Sequence, residues 1–165
     1  MTAVPEHGAA LLALYDSALP EVYGYLVSRC GERALAEDLT SDTFLAAVTA
    51  PVGAPCTIGW LIGIARHKLA DYWRWKARQE RLLEAVAGGV DAEDPWDAQL
   101  DVLAARAVLD NLTTPHRAAL ILRYLDGCSV PEIAELLDRS VGATEALLVR
   151  ARRQFRHVYE GSSDA

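Results

Sequence analysis

The sequence predicts an all-α fold made of two small helical domains joined by a flexible linker. Helix-forming residues such as Ala, Leu, Glu and Arg predominate along the 165-residue chain. It contains no long alternation of apolar and polar residues, which would indicate β-strands. The acidic stretch AGGVDAEDP contains two glycines and lacks helical periodicity, a composition typical of linkers. We therefore predict domains at residues 1–86 and 97–165, with the linker at residues 87–96.

Three helices are expected before residue 50. Residues 9–18 form the first, and Pro20 is expected to interrupt or end it because proline lacks the amide proton that a helix interior needs. Residues 20–30 form the second, with Gly31 as a left-handed C-cap. In the third, residues 32–49, helical spacing predicts an apolar side facing inward and a polar side facing outward. The inward residues are Leu35, Leu39, Leu45 and Val48, and the outward residues are Glu37, Asp38, Ser41 and Asp42.

A basic helix is predicted from Gly59 to about Ala85, after a proline-containing loop and with Thr57 as its N-cap. On a helical wheel, one arc is apolar and is expected to face the core: Trp60, Leu61, Ile64, Ala65, Leu69, Tyr72 and Trp75. The opposite arc is largely basic, with Trp73 at its border: Arg66, His67, Ala70, Asp71, Arg74 and Arg78. Cations beside an exposed aromatic ring suit a nucleic-acid strand with unstacked bases. An ordinary amphipathic helix with a solvated face is the alternative interpretation.

The second half predicts a helix-turn-helix. Helices are expected at residues 96–112 and 115–125, the latter beginning with Thr113, Thr114 and then proline. The sequence SVPE, from Ser129 to Glu132, is a capping box that opens a short helix ending at Leu137. A tight turn follows at residues 138–139, and Ser140 caps a last helix that reaches about Tyr159. The expected small core consists of Ile133, Ala134, Leu137, Val141, Ala146 and Leu147.

The charge distribution favours a partner-dependent nucleic-acid-binding protein. Although the net charge is −7, six of the sixteen basic residues lie at positions 66–81 and four more at positions 150–156. Two basic patches on an acidic body predict weak binding to bare DNA. We expect a cytoplasmic protein without a membrane segment, because no apolar run is long enough to span a bilayer. The histidines and cysteines form no catalytic or metal-binding pattern, so neither enzymatic activity, a metal nor a cofactor is expected.

Both halves resemble those of a bacterial extracytoplasmic-function (ECF) sigma-70 family RNA polymerase sigma factor. AEDLTSDTFLAAV and GWLIGIARHKLADYWRWK are similar to the family's region 2 motifs. LTTPHRAALILRYLDGCSVPEIAELLDRSVGATEALLVRAR is similar to its region 4. The resemblance covers residues 11–158. It implies a region 2 bundle and a region 4 helix-turn-helix, in a protein that binds core RNA polymerase, recognises the minus-thirty-five and minus-ten promoter elements, and promotes DNA melting.

The resemblance also implies which residues make these contacts. Those facing core polymerase, through its β′ clamp helices, would be Asp38, Leu39, Asp42 and Phe44; the β flap is a second expected polymerase partner. Those reading the melted minus-ten strand would be Arg66, His67, Lys68, Asp71, Tyr72, Arg74 and Lys76, with Trp73 and Trp75 as aromatic contributors. Those near the minus-thirty-five duplex would be Ser140, Ala143, Thr144, Glu145, Arg150, Arg152 and Arg153. An anti-sigma factor is a further expected partner.

The predicted recognition helix departs from the family pattern. It has Glu145, Ala146, Leu147 and Val149 where Lys, Ser, Arg and His are usual, which leaves fewer donors for base edges and phosphates. Two other functions remain open from the residues alone. One is a dimeric regulator that binds palindromic duplex DNA through its C-terminal hairpin. The other is a purely structural helical protein.

Overall fold

The computed structural model describes residues 6–51, 53–82 and 102–163, and these are helical with no β-strand. The all-α prediction is confirmed. Residue contacts divide the chain into two compact units, Met1–Ala70 and Asp71–Ala165. The division falls within a helix, whereas the linker predicted at residues 87–96 lies outside the described residues, so the boundary placed there stays a prediction. No helix in the described part is long and apolar enough to cross a membrane.

The first unit contains α1 (Glu6–Cys30), α2 (Arg33–Val48) and the N-terminal part of α3 (Ile58–Arg81). α1 and α2 pack against each other. The core of this unit consists of fully buried apolar side chains, including Val22, Leu26, Leu61 and Leu69. The imidazole of His7 links the N-terminal end of α1 to the C-terminal end of α2, because its Nε2 donates to the carbonyl oxygen of Ala47 at 2.7 Å.

The predicted break at Pro20 is wrong, because Pro20 lies inside α1, which is one continuous helix of 25 residues. Proline removes one backbone hydrogen bond from a helix interior. Ala18, Val22 and Leu26 lie on one face of α1 and are 0% exposed, so their burial maintains the helix on both sides of Pro20. The predicted cap at Gly31 is confirmed: its φ of 73° is left-handed, and its amide donates to the Val27 carbonyl at 3.0 Å.

The prediction for the buried face of α2 is partly wrong. Leu45 and Val48 are 67% and 64% exposed, although both were expected to point inward. The buried stripe uses small and hydroxylated residues instead, at Ala36, Thr40, Thr43 and Ala47, together with Leu39 and Phe44. Each threonine hydroxyl donates to the carbonyl oxygen four residues earlier, to Ala36 at 2.6 Å and to Leu39 at 2.7 Å. Because these hydroxyls are satisfied within the helix, they can be buried.

The second unit contains the C-terminal turns of α3 and four further helices: α4 (Val102–Asp110), α5 (Thr114–Leu120), α6 (Val130–Leu136) and α7 (Val141–Ser163). α5 continues into a π-helical turn, Ile121–Leu125. Helices α4, α5 and α7 share a core made of Val108, Leu112, Leu120, Ala151 and Phe155. The start of the helix predicted at residues 96–112 lies outside the described residues. α7 extends four residues beyond the predicted end near Tyr159.

The helix-turn-helix caps are confirmed. The Ser129 amide donates to Glu132 Oε2 at 2.8 Å, and the Glu132 amide donates to Ser129 Oγ at 3.3 Å, which completes the capping box. The Ala143 amide donates to Ser140 Oγ at 3.1 Å, so Ser140 caps α7 as predicted. Asp138, in the turn between α6 and α7, has a φ of 52°. Of the predicted small core, Val141 is wrong: it lies in the first turn of α7 and is 46% exposed.

Candidate nucleic-acid interface

The buried side of α3 changes direction along the helix. Leu61, Ala65, Leu69 and Trp73 are each 0 or 1% exposed and are spaced four residues apart. Since four residues turn an α-helix by slightly more than a full turn, such a stripe winds around the helix. The predicted arc was straight and therefore misplaced Ala70, which is 1% exposed, on the basic side.

This winding exchanges the expected positions of two tryptophans. Trp73 was placed at the border of the basic face, but its indole is 1% exposed, so no base can stack on it in this structure. Trp75 was placed in the core, yet it is 51% exposed. Its ring centroid lies 6.0 Å from that of Tyr72, and the two planes are tilted by 35°. The aromatic surface available beside the basic residues is therefore Tyr72 and Trp75, and the predicted contribution of Trp73 is corrected.

The polar residues predicted to read the minus-ten strand lie along the same helix. His67 is exposed, and its Nδ1 donates to the Gly63 carbonyl at 2.9 Å, which leaves Nε2 as an acceptor when the ring is neutral. Asp71 pairs with Arg74, three residues on, and Arg74 Nη1 also donates to the Leu136 carbonyl at 3.2 Å. Arg66, Lys68 and Lys76 are partly buried. Two polar residues on this side of α3, His67 and Arg74, are thus held in place by hydrogen bonds to the protein.

The predicted polymerase-facing residues of α2 separate into two pairs. Asp38 and Asp42 are exposed and four residues apart, so they lie on one face of the helix. Leu39 and Phe44 are only 6% and 9% exposed, and Phe44 packs edge-on against Tyr15 with ring centroids 5.0 Å apart. Their assignment as contact residues is corrected, because they form part of the core. Leu45, 67% exposed, follows Asp42 by three residues and provides an apolar group on the acidic face.

The start of α7 presents a mostly small, exposed surface. Ser140, Ala143 and Glu145 are exposed, whereas Thr144 is 0% exposed and donates from Oγ1 to the Ser140 carbonyl at 2.9 Å. Thr144 is therefore unavailable to DNA, which corrects its predicted role. Leu147 is 2% exposed and belongs to the core, so its lack of a donor does not weaken the recognition face. Glu145 is the charged side chain on this exposed turn.

Positive charge accumulates further along α7. Arg150 and Arg152 are partly buried, Arg153 is exposed, and Arg152 Nη1 donates to the Tyr124 hydroxyl at 3.5 Å. Burial lowers the pKa of His116 below its ordinary value of 6.5, and the positive charges of Arg150 and Arg139 lower it further. Protonation of His116 is therefore disfavoured first by burial and then by the neighbouring cationic groups. No group of three or more potential metal ligands occurs within the described ranges.

Comparison with known proteins identifies the two halves. Residues 14–79 match the family model "Sigma-70 region 2", and residues 103–155 match "Sigma-70, region 4". The chain is 30% identical over 139 residues to the ECF RNA polymerase sigma factor SigX of Bacillus subtilis, covering 75% of this chain and 70% of that protein.

The chain belongs to the ECF sigma factor family.

A second member is more similar in sequence but longer. The ECF RNA polymerase sigma factor BldN of Streptomyces coelicolor is 36% identical over 152 residues, covering 85% of this chain and 56% of BldN. The chain thus spans little more than half the length of that relative. The sigma factor RpoE of Bartonella quintana, solved in complex with the anti-sigma factor NepR, has a TM-score of 0.52 and 21% identity, and covers 90% of this chain and 95% of RpoE. That likeness shows a common fold.

Leu45 is an exposed candidate contact residue of this ECF sigma factor that the sequence pattern assigned to the core. The residue was assigned to the core because leucine at helical spacing is usually buried. A signal was present in the sequence: Ala36, Thr40, Thr43 and Ala47 form an uninterrupted series of small residues at spacings of three and four. Such a series permits close approach of a neighbouring helix, and it would have placed Leu45 outside the buried stripe.

Proposed function

We propose that this chain is a promoter-specificity subunit that binds core RNA polymerase, recognises the minus-thirty-five and minus-ten elements and promotes melting of the latter. The observation that carries this proposal is the presence of a region 2 match and a region 4 match, in that order, in one chain. Its site of action would be the cytoplasm, where bacterial RNA polymerase works. The role requires no covalent chemistry from the protein.

The surface proposed for the β′ clamp helices of polymerase is the exposed face of α2. Asp38 and Asp42 supply negative charge, and Leu45 supplies an apolar contact three residues after Asp42. Protein interfaces commonly combine a desolvated apolar centre with a polar rim. Leu45 thus replaces Leu39 and Phe44 as the apolar member of the proposed contact. The β flap would bind elsewhere, through the region 4 unit.

The surface proposed for the minus-ten strand is the exposed side of α3. The predicted contacts that remain accessible there are Arg66, His67, Lys68, Asp71, Tyr72, Arg74, Trp75 and Lys76. Trp75 offers the most exposed ring, and stacking of one base on an aromatic side chain contributes about 1 to 3 kcal/mol. Capture of unstacked bases would offset the cost of opening the duplex, which is about a few kcal/mol per base.

The surface proposed for the minus-thirty-five duplex is the first turn and a half of α7. The predicted contacts that are exposed there are Ser140, Ala143 and Glu145, and Arg150, Arg152 and Arg153 follow as phosphate contacts. A carboxylate can accept a hydrogen bond from the exocyclic amine of cytosine in the major groove. Glu145 therefore favours a cytosine at the position that it faces, while its charge opposes approach to phosphates.

Run-off transcription with purified core polymerase and a broad promoter library tests the proposal. The protein should stimulate specific transcripts, and gel shifts without polymerase should show weak binding, since the net charge is −7. Trp75→Ala should reduce open-complex formation about 10-fold, because the stacking contribution is lost. Tight binding to palindromic duplexes without polymerase, together with no stimulation of transcription, would instead indicate a dimeric regulator.

A second arm isolates polymerase binding from DNA binding. Leu45→Asp places a charge on the proposed apolar contact and should weaken binding to core polymerase at least 10-fold in the absence of DNA. Because Leu45 is 67% exposed, this substitution should leave the fold intact. The matched control is Leu12→Asp, which changes a leucine of α1 that is 70% exposed. Equal losses from both variants would count against the α2 surface.

An anti-sigma factor is the remaining proposed partner. The Bartonella quintana RpoE structure includes the anti-sigma factor NepR, which supports the proposal by similarity of fold. Co-expression with candidate neighbouring proteins, followed by limited proteolysis, tests it. The segment around residues 88–95 should become protected in a complex, and an unchanged digestion pattern with every candidate would contradict the proposal.

A further inference from the structure

The second unit contains an open cavity of about 290 Å³ bounded by the C-terminal turns of α3, by α5 and by the turn between α6 and α7. Its lining residues all belong to the unit Asp71–Ala165. Six of them carry the chemistry of the site: Trp73, Arg74, Arg78, Arg81, Asp138 and Arg139. The cavity is thus lined by four guanidinium groups and one carboxylate.

Most of this positive charge has no carboxylate partner among the residues that the structure describes. Arg74 pairs with Asp71, but the structure gives Arg78, Arg81 and Arg139 no carboxylate partner within the described residues. Burial lowers the pKa of Arg139, and the neighbouring positive charges of Arg81 and Arg150 lower it further. Guanidinium groups that repel one another around a concave surface create a site of positive potential, and guanidinium geometry matches phosphate oxygens.

A buried donor without a partner points to the same cavity. The Trp73 side chain is 1% exposed, and its indole Nε1 has no hydrogen-bond partner in the described part of the chain. Leaving a buried N–H unpaired costs free energy, so such groups are usually satisfied by a ligand, by water or by protein. Trp73 lines the cavity, and an acceptor oxygen held there by the arginines would satisfy its N–H once the side chains that cover the indole move aside.

We propose that this cavity binds a small polyphosphate through its diphosphate group. The arginines would pair with the phosphate oxygens, and the Trp73 indole N–H would donate to one of them. A nucleic-acid strand is the alternative ligand, because it could meet the exposed Arg78 and Arg81, and an oligonucleotide is therefore included in the test. The inference does not depend on the transcriptional role, because binding should occur with the protein alone.

Isothermal titration of the full chain with sodium pyrophosphate at about physiological ionic strength tests the proposal. Saturable binding with one site is expected, and Arg139→Gln and Arg81→Gln should each weaken it at least 10-fold. The control Arg33→Gln changes an exposed arginine at the start of α2, outside the cavity, and should leave the affinity unchanged. An equal loss in the control, or equal binding of sulfate, would overturn the proposal.

Two further variants keep the test independent of folding. Asp138→Asn removes the one carboxylate among the lining residues, so pyrophosphate should bind several-fold more tightly; asparagine also tolerates the φ of 52°. Trp73→Phe removes the N–H while retaining an aromatic ring, and should weaken binding several-fold with an unchanged circular dichroism spectrum. Unchanged or weaker binding by the Asp138→Asn variant would contradict the inference.

The source of the diphosphate group is distinguished by comparing pyrophosphate with guanosine and adenosine diphosphates. Tighter binding of one nucleotide, lost in Arg139→Gln, identifies a nucleotide ligand, whereas equal affinities indicate recognition of the diphosphate alone. A single-stranded oligonucleotide that binds through Arg81 and Arg139 while pyrophosphate fails to bind would overturn the proposal in favour of a DNA contact.

Discussion

The helix-turn-helix of the second unit and the α1–α2 pair of the first secure their helices by different means. In the second unit, side chains next to the helix ends form the caps: Ser129 and Glu132 at α6, and Ser140 at α7. In the first unit, α1 passes through Pro20, and α2 begins at Glu32 without a side-chain cap. Burial of Ala18, Val22 and Leu26 maintains α1 instead. Local hydrogen bonds therefore define the helix-turn-helix, whereas packing between helices defines the α1–α2 pair.

The largest expected effect is a loss of stability when packing in the first unit is disrupted. Leu26→Ala removes a side chain that is 0% exposed and should lower the free energy of unfolding of the first unit by about 2 to 5 kcal/mol, through lost burial and a cavity. Urea denaturation followed by circular dichroism measures it. Leu45→Ala, the matched change at an exposed leucine of α2, should shift stability by less than about 0.5 kcal/mol.

Pro20→Ala tests whether packing overrides a local signal in α1. Alanine restores the amide donor to a helix interior, and proline there is less favourable by about 3 kcal/mol, so the variant should be more stable by up to that amount. The same denaturation experiment detects it, with Glu21→Ala as the neighbouring exposed control. A destabilised variant would show that α1 requires the geometry that proline imposes.

Ser129→Ala tests the local side of the comparison. The substitution removes the oxygen that accepts from the Glu132 amide, and loss of such an N-cap should lower the stability of the second unit by about 1 kcal/mol. The matched change in the first unit is Ser41→Ala, at an exposed position in α2, and its effect should be within about 0.5 kcal/mol. Equal effects of the two changes would remove the distinction between the units.

The smallest expected effect is a pH dependence confined to the second unit. Since the pKa of His116 is lowered in the folded protein, the unfolded chain binds the proton more readily below about pH 6.5. Stability should therefore be constant with respect to this group above that pH and fall as the pH decreases below it. His116→Gln should flatten this dependence in thermal unfolding between about pH 7.5 and 5.5; identical slopes would exclude His116 as the cause.

The sequence predicted those features that depend on a few adjacent residues. The capping box at Ser129, the cap at Ser140 and the left-handed Gly31 need only local chemistry, and each was found where expected. The family resemblance likewise rests on contiguous motifs. The failures concern which side of a helix faces a neighbour, as at Leu45 and Val48 in α2, or Trp73 and Trp75 in α3. That choice depends on the neighbouring helices, which a helical wheel does not represent.

The candidate site shows the same division. The motif correctly located the exposed carboxylates Asp38 and Asp42, but it also included Leu39, Phe44, Trp73 and Thr144, which are buried. Family motifs contain core residues as well as contact residues, since both belong to the conserved pattern of a fold. Only burial separates the two, and burial follows from tertiary structure.

The hydroxyl bonds of Thr40 and Thr43 have a consequence for judging polarity from sequence. Each hydroxyl donates its hydrogen bond to a carbonyl oxygen of its own helix, so the remaining surface of each side chain is largely its methyl group. Towards the core these threonines resemble valine. The core of the first unit is therefore more apolar than the hydropathy of the α2 sequence suggests, although it includes the two threonines, which are classed as polar.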